Sequence, residues 1–227
     1  MQRFGTIYGG WYLPKDIPLD SNSIVYSLGA GEDISFDLHI QSKFDSQLYL
    51  YDPTPRAIIH FDEVQRFYNE EGYTFSGNIQ TDYLQSINGL KVDFSKIKFI
   101  NRGIHKTNTE MKFYKQNNKD YVSQSLERNM FGSEFDIVNV STLKTEMMNN
   151  GHTHIDVLKM DIEGSECDVL ENMIDECIFP KYLCIEFDLY LKKKDLTKKT
   201  EHVINSLLEH DYHILMNDNM NITFKRH

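Results

Sequence analysis

A pair of glycines and a spaced set of carboxylates carry most of the chemical information in this chain. Tyr26-Ser27-Leu28-Gly29-Ala30-Gly31-Glu32-Asp33 reads as a strand running into a G-x-G turn. Such a turn lets the backbone approach a ligand closely and aims free helix N–H groups at its polar end. Alone this is a weak signal. Asp52, 21 residues after Gly31 at the end of the next apolar run, strengthens it, because a carboxylate there can accept both ribose hydroxyls of an adenosine. The plainer reading of Asp52 is a turn residue before Pro53. Leu28, Gly29, Ala30, Gly31, Asp33, Asp52 and Pro53 are thus the candidate cofactor-binding residues of the N-terminal half.

A dinucleotide fingerprint needs a third glycine three residues after the second, and Ile34 stands there, which counts against NAD. S-adenosylmethionine (SAM) carries no pyrophosphate. It needs only the G-x-G turn, the ribose acid and a partner for its ammonium group. An NAD-dependent oxidoreductase remains the weaker alternative.

The second constellation is Val157-Leu158-Lys159-Met160-Asp161-Ile162-Glu163-Gly164-Ser165-Glu166, a buried strand delivering acids to a sheet edge. Methyl transfer from a sulfonium is an in-line displacement, so the protein must align the reacting atoms and exclude water. A hydroxyl acceptor also needs its proton removed. Asp161, Glu163, Glu186 and Asp188 are candidates at that edge. Asp161 faces the cofactor as ammonium partner or acid/base, and Glu186 is a candidate base at the end of the next strand. Lys159 lies on a strand buried on both faces, where an unpaired ammonium is costly. A carboxylate partner such as Glu186 is expected, in either a structural or a catalytic role. Glu163 also suits the start of the following helix. Asp161, Glu163 and Asp188 together have the oxygen ligands to hold Mg2+, and whether a metal is used is left open.

The elements that must position these groups follow from short apolar runs alternating with helical patterns, the signature of a parallel sheet with crossover helices. Strands are expected at Ile24–Leu28, Gln47–Tyr51, Ile97–Ile100, Glu110–Lys115, Asp136–Val140, Ile155–Met160 and Tyr182–Phe187. Thr54 and Pro55 open a helix with Ile58, Phe61 and Val64 on one face. Val169 to Cys177 and Val203 to Leu208 place two more. Ile34, Phe36, Leu38 and Ile40 alternate like a strand, yet their position after a glycine turn argues for a helix. Tyr212–Met216, a turn at Asn217-Asp218-Asn219, and Met220, Ile222 and Phe224 predict a terminal hairpin.

Composition narrows the function classes. The 227 residues suit one α/β domain over 1–227, with residues 1–22 as an N-terminal cap segment. Lys+Arg total 24 against Asp+Glu 34, a net charge of -10 that repels nucleic acid and anionic lipid. No apolar stretch is long enough to span a bilayer, and no signal pattern opens the chain, so a cytoplasmic protein without membrane insertion is expected. Cys167, Cys177 and Cys184 read as small buried hydrophobes.

The run from Leu158 to Glu166 resembles the L-K-x-D-x-E-G-x-E hallmark of the FkbM family of SAM-dependent methyltransferases. The resemblance extends from Ile24 to Phe224 and takes in Asn101-Arg102-Gly103, Ile185-Glu186-Phe187 and the terminal hairpin. Tyr8-Gly9-Gly10-Trp11-Tyr12 and Val25 to Gly29 look closer to the methyltransferase-like branch related to that family. A common family pattern has an acid near Ser27, so the ammonium contact falls to Asp161 or to backbone carbonyls. The resemblance implies a class I (Rossmann-like) methyltransferase fold: a mainly parallel seven-stranded sheet, a C-terminal antiparallel hairpin and helices on both faces. It implies SAM as donor, S-adenosylhomocysteine as product, Gly103 as a further cofactor contact, and an acceptor hydroxyl on a sugar or other small molecule. Family members commonly serve glycan, capsule, lipopolysaccharide or secondary-metabolite pathways. A non-catalytic module of the same fold that scaffolds a partner is the competing reading.

Around this site, Tyr8, Trp11 and Tyr12 offer aromatic surface for a sugar or for covering SAM, with core packing as the alternative; Asp188 is a further candidate acceptor contact. His105 is the histidine nearest the site, whereas His152 and His154 fall on the opposite edge. Ser123, Gln124 and Ser125 lie in a polar loop that can close over a ligand. Lys192, Lys193, Lys194, Lys198 and Lys199 read as a solvated run or as a contact for a phosphorylated acceptor.

Overall fold

The G-x-G turn and the acids after the later strands reach one place because of the order in which the strands pair. The structure, a computed structural model, describes residues 1–76, 79–115, 124–125, 134–187, 194–218 and 220–227, with backbone only at 124–125 and 194–197. The chain begins with a small hairpin, β1 (Gln2–Phe4) and β2 (Trp11–Leu13). Then come β3 (Ile24–Leu28), α1 (Ser35–Phe44), β4 (Gln47–Tyr51), α2 (Pro55–Asn69), α3 (Tyr83–Ile87) and β5 (Ile97–Ile100). After β6 (Gly103–Ile104), β7 (Thr109–Lys115), β8 (Gln124–Ser125) and β9 (Phe135–Ser141) follow α4 (Leu143–Asn150), β10 (Val157–Met160) and α5 (Glu166–Asp175). β11 (Tyr182–Glu186), α6 (Lys194–Glu209), β12 (Tyr212–Asp218) and β13 (Asn221–Arg226) complete it.

The main sheet has seven strands in the order β12-β13-β11-β10-β3-β4-β5. β11, β10, β3, β4 and β5 run parallel, while β13 and β12 are antiparallel. The order turns around between β3 and β10, and a crevice opens beyond the carboxyl ends of strands at such a switch point. The expected α/β, Rossmann-like methyltransferase sheet with helices on both faces is what the chain forms. On one face α1, α2 and α3 cover Val25, Leu48, Leu50 and Val157. On the other, α4, α5 and α6 cover Tyr26, Leu158, Met160 and Ile185.

The alternating segment is helical, and its alternation has a cause. Ile34, Phe36, Leu38 and Ile40 are all fully buried, because α1 packs at once against the sheet, β1 and α3. Two-residue steps on a helix place side chains on opposite sides, which suits an element with little solvent face. Thr54 caps α2, accepting from the Ala57 N–H at 3.3 Å, with Pro55 at its first position.

Several expectations shift. The runs at 109–115 and 135–141 leave the main sheet and form a separate four-stranded sheet, β6-β9-β7-β8. Residues 124–125 pair with β7 as a strand, while Ser123 lies outside the described residues. The terminal turn is tighter than expected, since Asn217 and Asp218 pair with Ile222 and Asn221. Cys177 lies beyond α5 with φ 54 and is exposed, unlike Cys167 and Cys184, which are buried as expected. The helix ends before Cys177 can turn inward. Among the described residues no helix is long and apolar enough to cross a membrane.

Candidate functional site

At the switch point, the glycine turn is fastened on every side. The Gly29 N–H donates to the Tyr51 carbonyl at 2.9 Å, and the Lys159 ammonium donates to the Gly29 carbonyl at 2.6 Å. Gly29 has φ +78, and a Cβ there would fall 1.7 Å from the Asp161 carbonyl oxygen. Only glycine fits where the two loops cross. The Gly31 N–H donates to Asp52 Oδ2 at 2.8 Å.

Asp52 is buried, and burial pushes its carboxyl up. Its Oδ1 accepts from the Thr54 N–H at 2.8 Å and the Thr54 hydroxyl at 2.6 Å. Two donors fill Oδ1, so only Oδ2 keeps an acceptor position. Asp52 therefore ties the glycine turn to the start of α2 and has room for one further hydrogen bond, rather than the two ribose contacts expected of it.

A second loop, after β10, faces this turn. Glu163 is a non-glycine residue in the left-handed region, φ 55, beside Gly164 at φ 108. Glu166 holds the loop in shape, accepting from the Ile162 N–H at 3.2 Å and the Gly164 N–H at 2.9 Å. Strained backbone of this kind persists where surrounding contacts over-determine it. Glu166 stands in the sequence run without an assigned role, and its part in shaping the loop is visible only in the fold.

The two loops border a cleft lined by Gly29, Ala30, Gly31, Asp52, Pro53, Gly103, Lys159, Asp161 and Glu163, together with Tyr8 and Asp33. Leu28 is fully buried and contributes the strand that carries the turn. Phe113 and Val140 reach the cleft from the second sheet. Sequence gave no signal for that, since their strands were expected within the main sheet.

A neighbouring, more open cleft is lined by Ile7, Gln80, Asp82, Glu186 and Asn221 and shares Tyr8, Asp161 and Glu163 with the first. Tyr8 hangs between them from the β1–β2 loop. Asp33 anchors that loop, accepting from the Thr6 hydroxyl at 2.6 Å and the Ser35 N–H at 2.9 Å. Tyr8 is 70% exposed overall. Its phenol is nonetheless pushed up to about 12, first by burial and then by the charges of Asp161, Glu163, Glu186 and Asp33.

Other candidates lie elsewhere. Trp11 is buried in the core, and Tyr12, its neighbour on the opposite side of β2, packs under the Arg3 guanidinium at 4.9 Å; neither lines the clefts. Asp188 falls outside the described residues. His105 is buried beside Thr107 and lines neither cleft. Lys199 pairs with Asp168 at 2.7 Å, while Lys192 and Lys193 are outside the described residues. Lys159 donates to a backbone carbonyl rather than making the expected pair with Glu186. Among the described residues, no group of three His, Cys, Asp or Glu is placed to hold a metal.

The arrangement suits a cationic adenosine cofactor: a glycine turn beside a part-used carboxylate at one end, and carboxylates at the other. Comparison with solved structures finds the fibrillarin/Nop5p complex (TM-score 0.46, 11% identity, 92% of this chain and 75% of that one). It also finds the Methanococcus jannaschii fibrillarin pre-rRNA processing protein (TM-score 0.43, 14% identity, 92% and 68%). Aeropyrum pernix fibrillarin, solved with natively bound S-adenosyl-L-methionine, matches with TM-score 0.39, 12% identity, 94% and 69% coverage. No curated protein matches. The methyltransferase FkbM domain model matches residues 19–214, nearly the whole chain from the turn before β3 into β12, and the protein belongs to that family of methyltransferases.

Proposed function

We propose that the chain transfers the methyl group of SAM to a hydroxyl of a sugar-containing or similar small acceptor. The observation that carries this reading is the meeting of the two clefts at Asp161, Glu163 and Tyr8. One cleft has the glycine turn and Asp52 for the adenosine end of a cofactor. The other offers Gln80, Asp82, Glu186 and Asn221 as hydrogen-bonding groups for a hydroxylated acceptor.

The bound cofactor supplies an electrophilic methyl group. The chain's residues hold, orient and shield it. Asp52 would hold the ribose end through the remaining acceptor position of Oδ2, an oxygen that the Gly31 N–H keeps in place. Asp161 balances the positive charge near the junction, and Glu186 takes the acceptor proton at its carboxylate. A phenol raised to about 12 stays protonated at neutral pH, so Tyr8 acts as a hydrogen-bond donor and a cover against water, not as a base.

Methyl transfer from labelled SAM to nucleotide sugars, free glycans and small phenols, read by mass spectrometry, tests the reading. A labelled sugar product that disappears in Glu186→Gln supports it. Transfer only to phenols would move the acceptor class. No binding of S-adenosylhomocysteine by calorimetry would overturn the cofactor assignment.

A further inference from the structure

Beneath the glycine turn, on the face of the sheet covered by α1, a lysine that lines the first cleft is buried together with a carboxylate that lines neither cleft. Lys159 of β10 stands beside Ser27 of β3 and Cys184 of β11 in register. Asp37, in the first turn of α1, sits over them. Lys159 is 3% exposed and Asp37 1%. Neither Asp37 oxygen has a donor at hydrogen-bonding geometry among the described residues, although the Ser27 hydroxyl and the Lys159 charge both favour its ionised form.

Opposite charges buried here without forming a direct ion pair would be a poor choice for stability alone, since apolar groups of similar volume do as well or better. The lysine is also aimed past the carboxylate, onto the Gly29 carbonyl at 2.6 Å. That carbonyl belongs to the residue whose N–H is held by Tyr51 and whose missing Cβ admits the Asp161 loop. The charge is therefore attached to the one peptide on which the shape of the cofactor turn depends.

We propose that Asp37 is a positioning residue: its buried carboxylate keeps the Lys159 ammonium on the Gly29 carbonyl and thereby fixes the glycine turn in the form that accepts the cofactor. The inference rests on the SAM reading above. It gives Lys159 a structural hold on the cofactor loop instead of a part in proton transfer, because the ammonium is already committed to a backbone oxygen.

The groups facing Asp37 are Lys159 and Ser27 from the sheet, Cys184 from β11, Asp33 ahead of α1, and Tyr83 of α3. Desolvation raises the Asp37 carboxyl to about 6, with the Lys159 charge working against it. When Asp37 takes up a proton, the buried ammonium loses its counter-charge and its hold on Gly29 weakens. Cofactor affinity then falls on the acid side.

The test is titration with S-adenosylhomocysteine of the full chain, wild type, Asp37→Asn, Lys159→Met and the double variant, with folding followed by circular dichroism. Each single change weakens binding about tenfold or more, the scale of a charge-assisted hydrogen bond. The double variant binds no worse than Lys159→Met, because Asp37 acts only through the lysine. In the wild type the affinity drops as the pH falls through about 6, and in Asp37→Asn that step is gone. Should Asp37→Asn fail to fold, Lys159→Met decides the same point: the acid step of the wild type disappears there, and a wild type without that step or a Lys159→Met that keeps it overturns the proposal.

Wild-type binding matched by Asp37→Asn, losses that multiply in the double variant, or an acid step surviving in Asp37→Asn would each overturn the proposal while leaving the cofactor reading intact. A wild type that binds no S-adenosylhomocysteine overturns both.

Discussion

Tyr26 and Ser27 are neighbours in β3, and alternation sends them to opposite faces of the sheet. Both meet buried polar groups, but of different kinds. On the α4 face, the Tyr26 hydroxyl is 2.8 Å from His152 Nδ1, and the Asn150 amide donates to the hydroxyls of Tyr26 (3.1 Å) and Tyr51 (2.9 Å) and to the Glu146 carbonyl (2.9 Å). Glu146, itself buried, accepts from Ser141 and Arg102 at 2.7 Å each. That network contains one ion pair, Arg102 with Glu146, and its hydrogen bonds are made. On the α1 face, Ser27 Oγ and both Asp37 oxygens lack a bonded partner among the described residues, and the lysine is spent on a loop carbonyl. A satisfied network specifies a rigid scaffold, whereas an unsatisfied charged one is costly and is tolerated where function needs it.

The sharpest way to break this contrast is to attack the peptide that the charged side serves. Gly29→Ala places a Cβ 1.7 Å from the Asp161 carbonyl oxygen at φ +78, so the two loops must separate. S-adenosylhomocysteine affinity should fall by more than about 100-fold, a loss above roughly 2.7 kcal/mol, with the far-UV circular dichroism of the sheet retained. Binding within a few-fold of wild type would mean that the turn does not shape the cofactor site.

The next effect concerns stability and pH. The folded-state carboxyl of Asp37 is raised to about 6 from 3.8. Its favourable contribution is therefore fully present below the unfolded value and lost as the pH rises through about 6, on the order of 3 kcal/mol before coupling to Lys159. Urea unfolding from about pH 4 to 7 should show Asp37→Asn with a visibly flatter fall than wild type. Asp52, also raised by burial, leaves a residual slope of the same sign. An unchanged slope in Asp37→Asn would show that the carboxylate is better solvated than its burial implies.

Much of this arrangement could be read before the fold was seen, for definite reasons. Parallel strands buried on both faces leave continuous apolar runs, so Ile24–Leu28, Gln47–Tyr51 and Tyr182–Glu186 fall where expected. The G-x-G turn and Asp161 are legible because one follows a strand directly and the other ends one. What could not be read is pairing across the chain. Nothing in Thr109–Lys115 or Phe135–Ser141 announces that they leave the main sheet and lend Phe113 and Val140 to the cleft. Lys159 was given a carboxylate on the next strand because its local partners are visible in sequence, whereas Asp37 arrives from a helix 122 positions earlier. Trp11 and Tyr12 look like site residues by composition, and only the direction of β2 shows otherwise.

The smallest effect should come from the saturated side, and it is the control that gives the others meaning. Asn150→Ala removes the donor to two tyrosine hydroxyls and one carbonyl, leaving buried acceptors without it. A cost of about 2 kcal/mol in urea unfolding is expected. The Tyr51 backbone still accepts from Gly29 through main-chain pairing that the side-chain amide does not touch. Affinity for S-adenosylhomocysteine should therefore stay within about threefold, below 1 kcal/mol, and its pH profile should keep the acid step assigned to Asp37. A tenfold weakening in Asn150→Ala would show that both faces of β3 position the turn, and the division between a scaffold face and a functional face would fall.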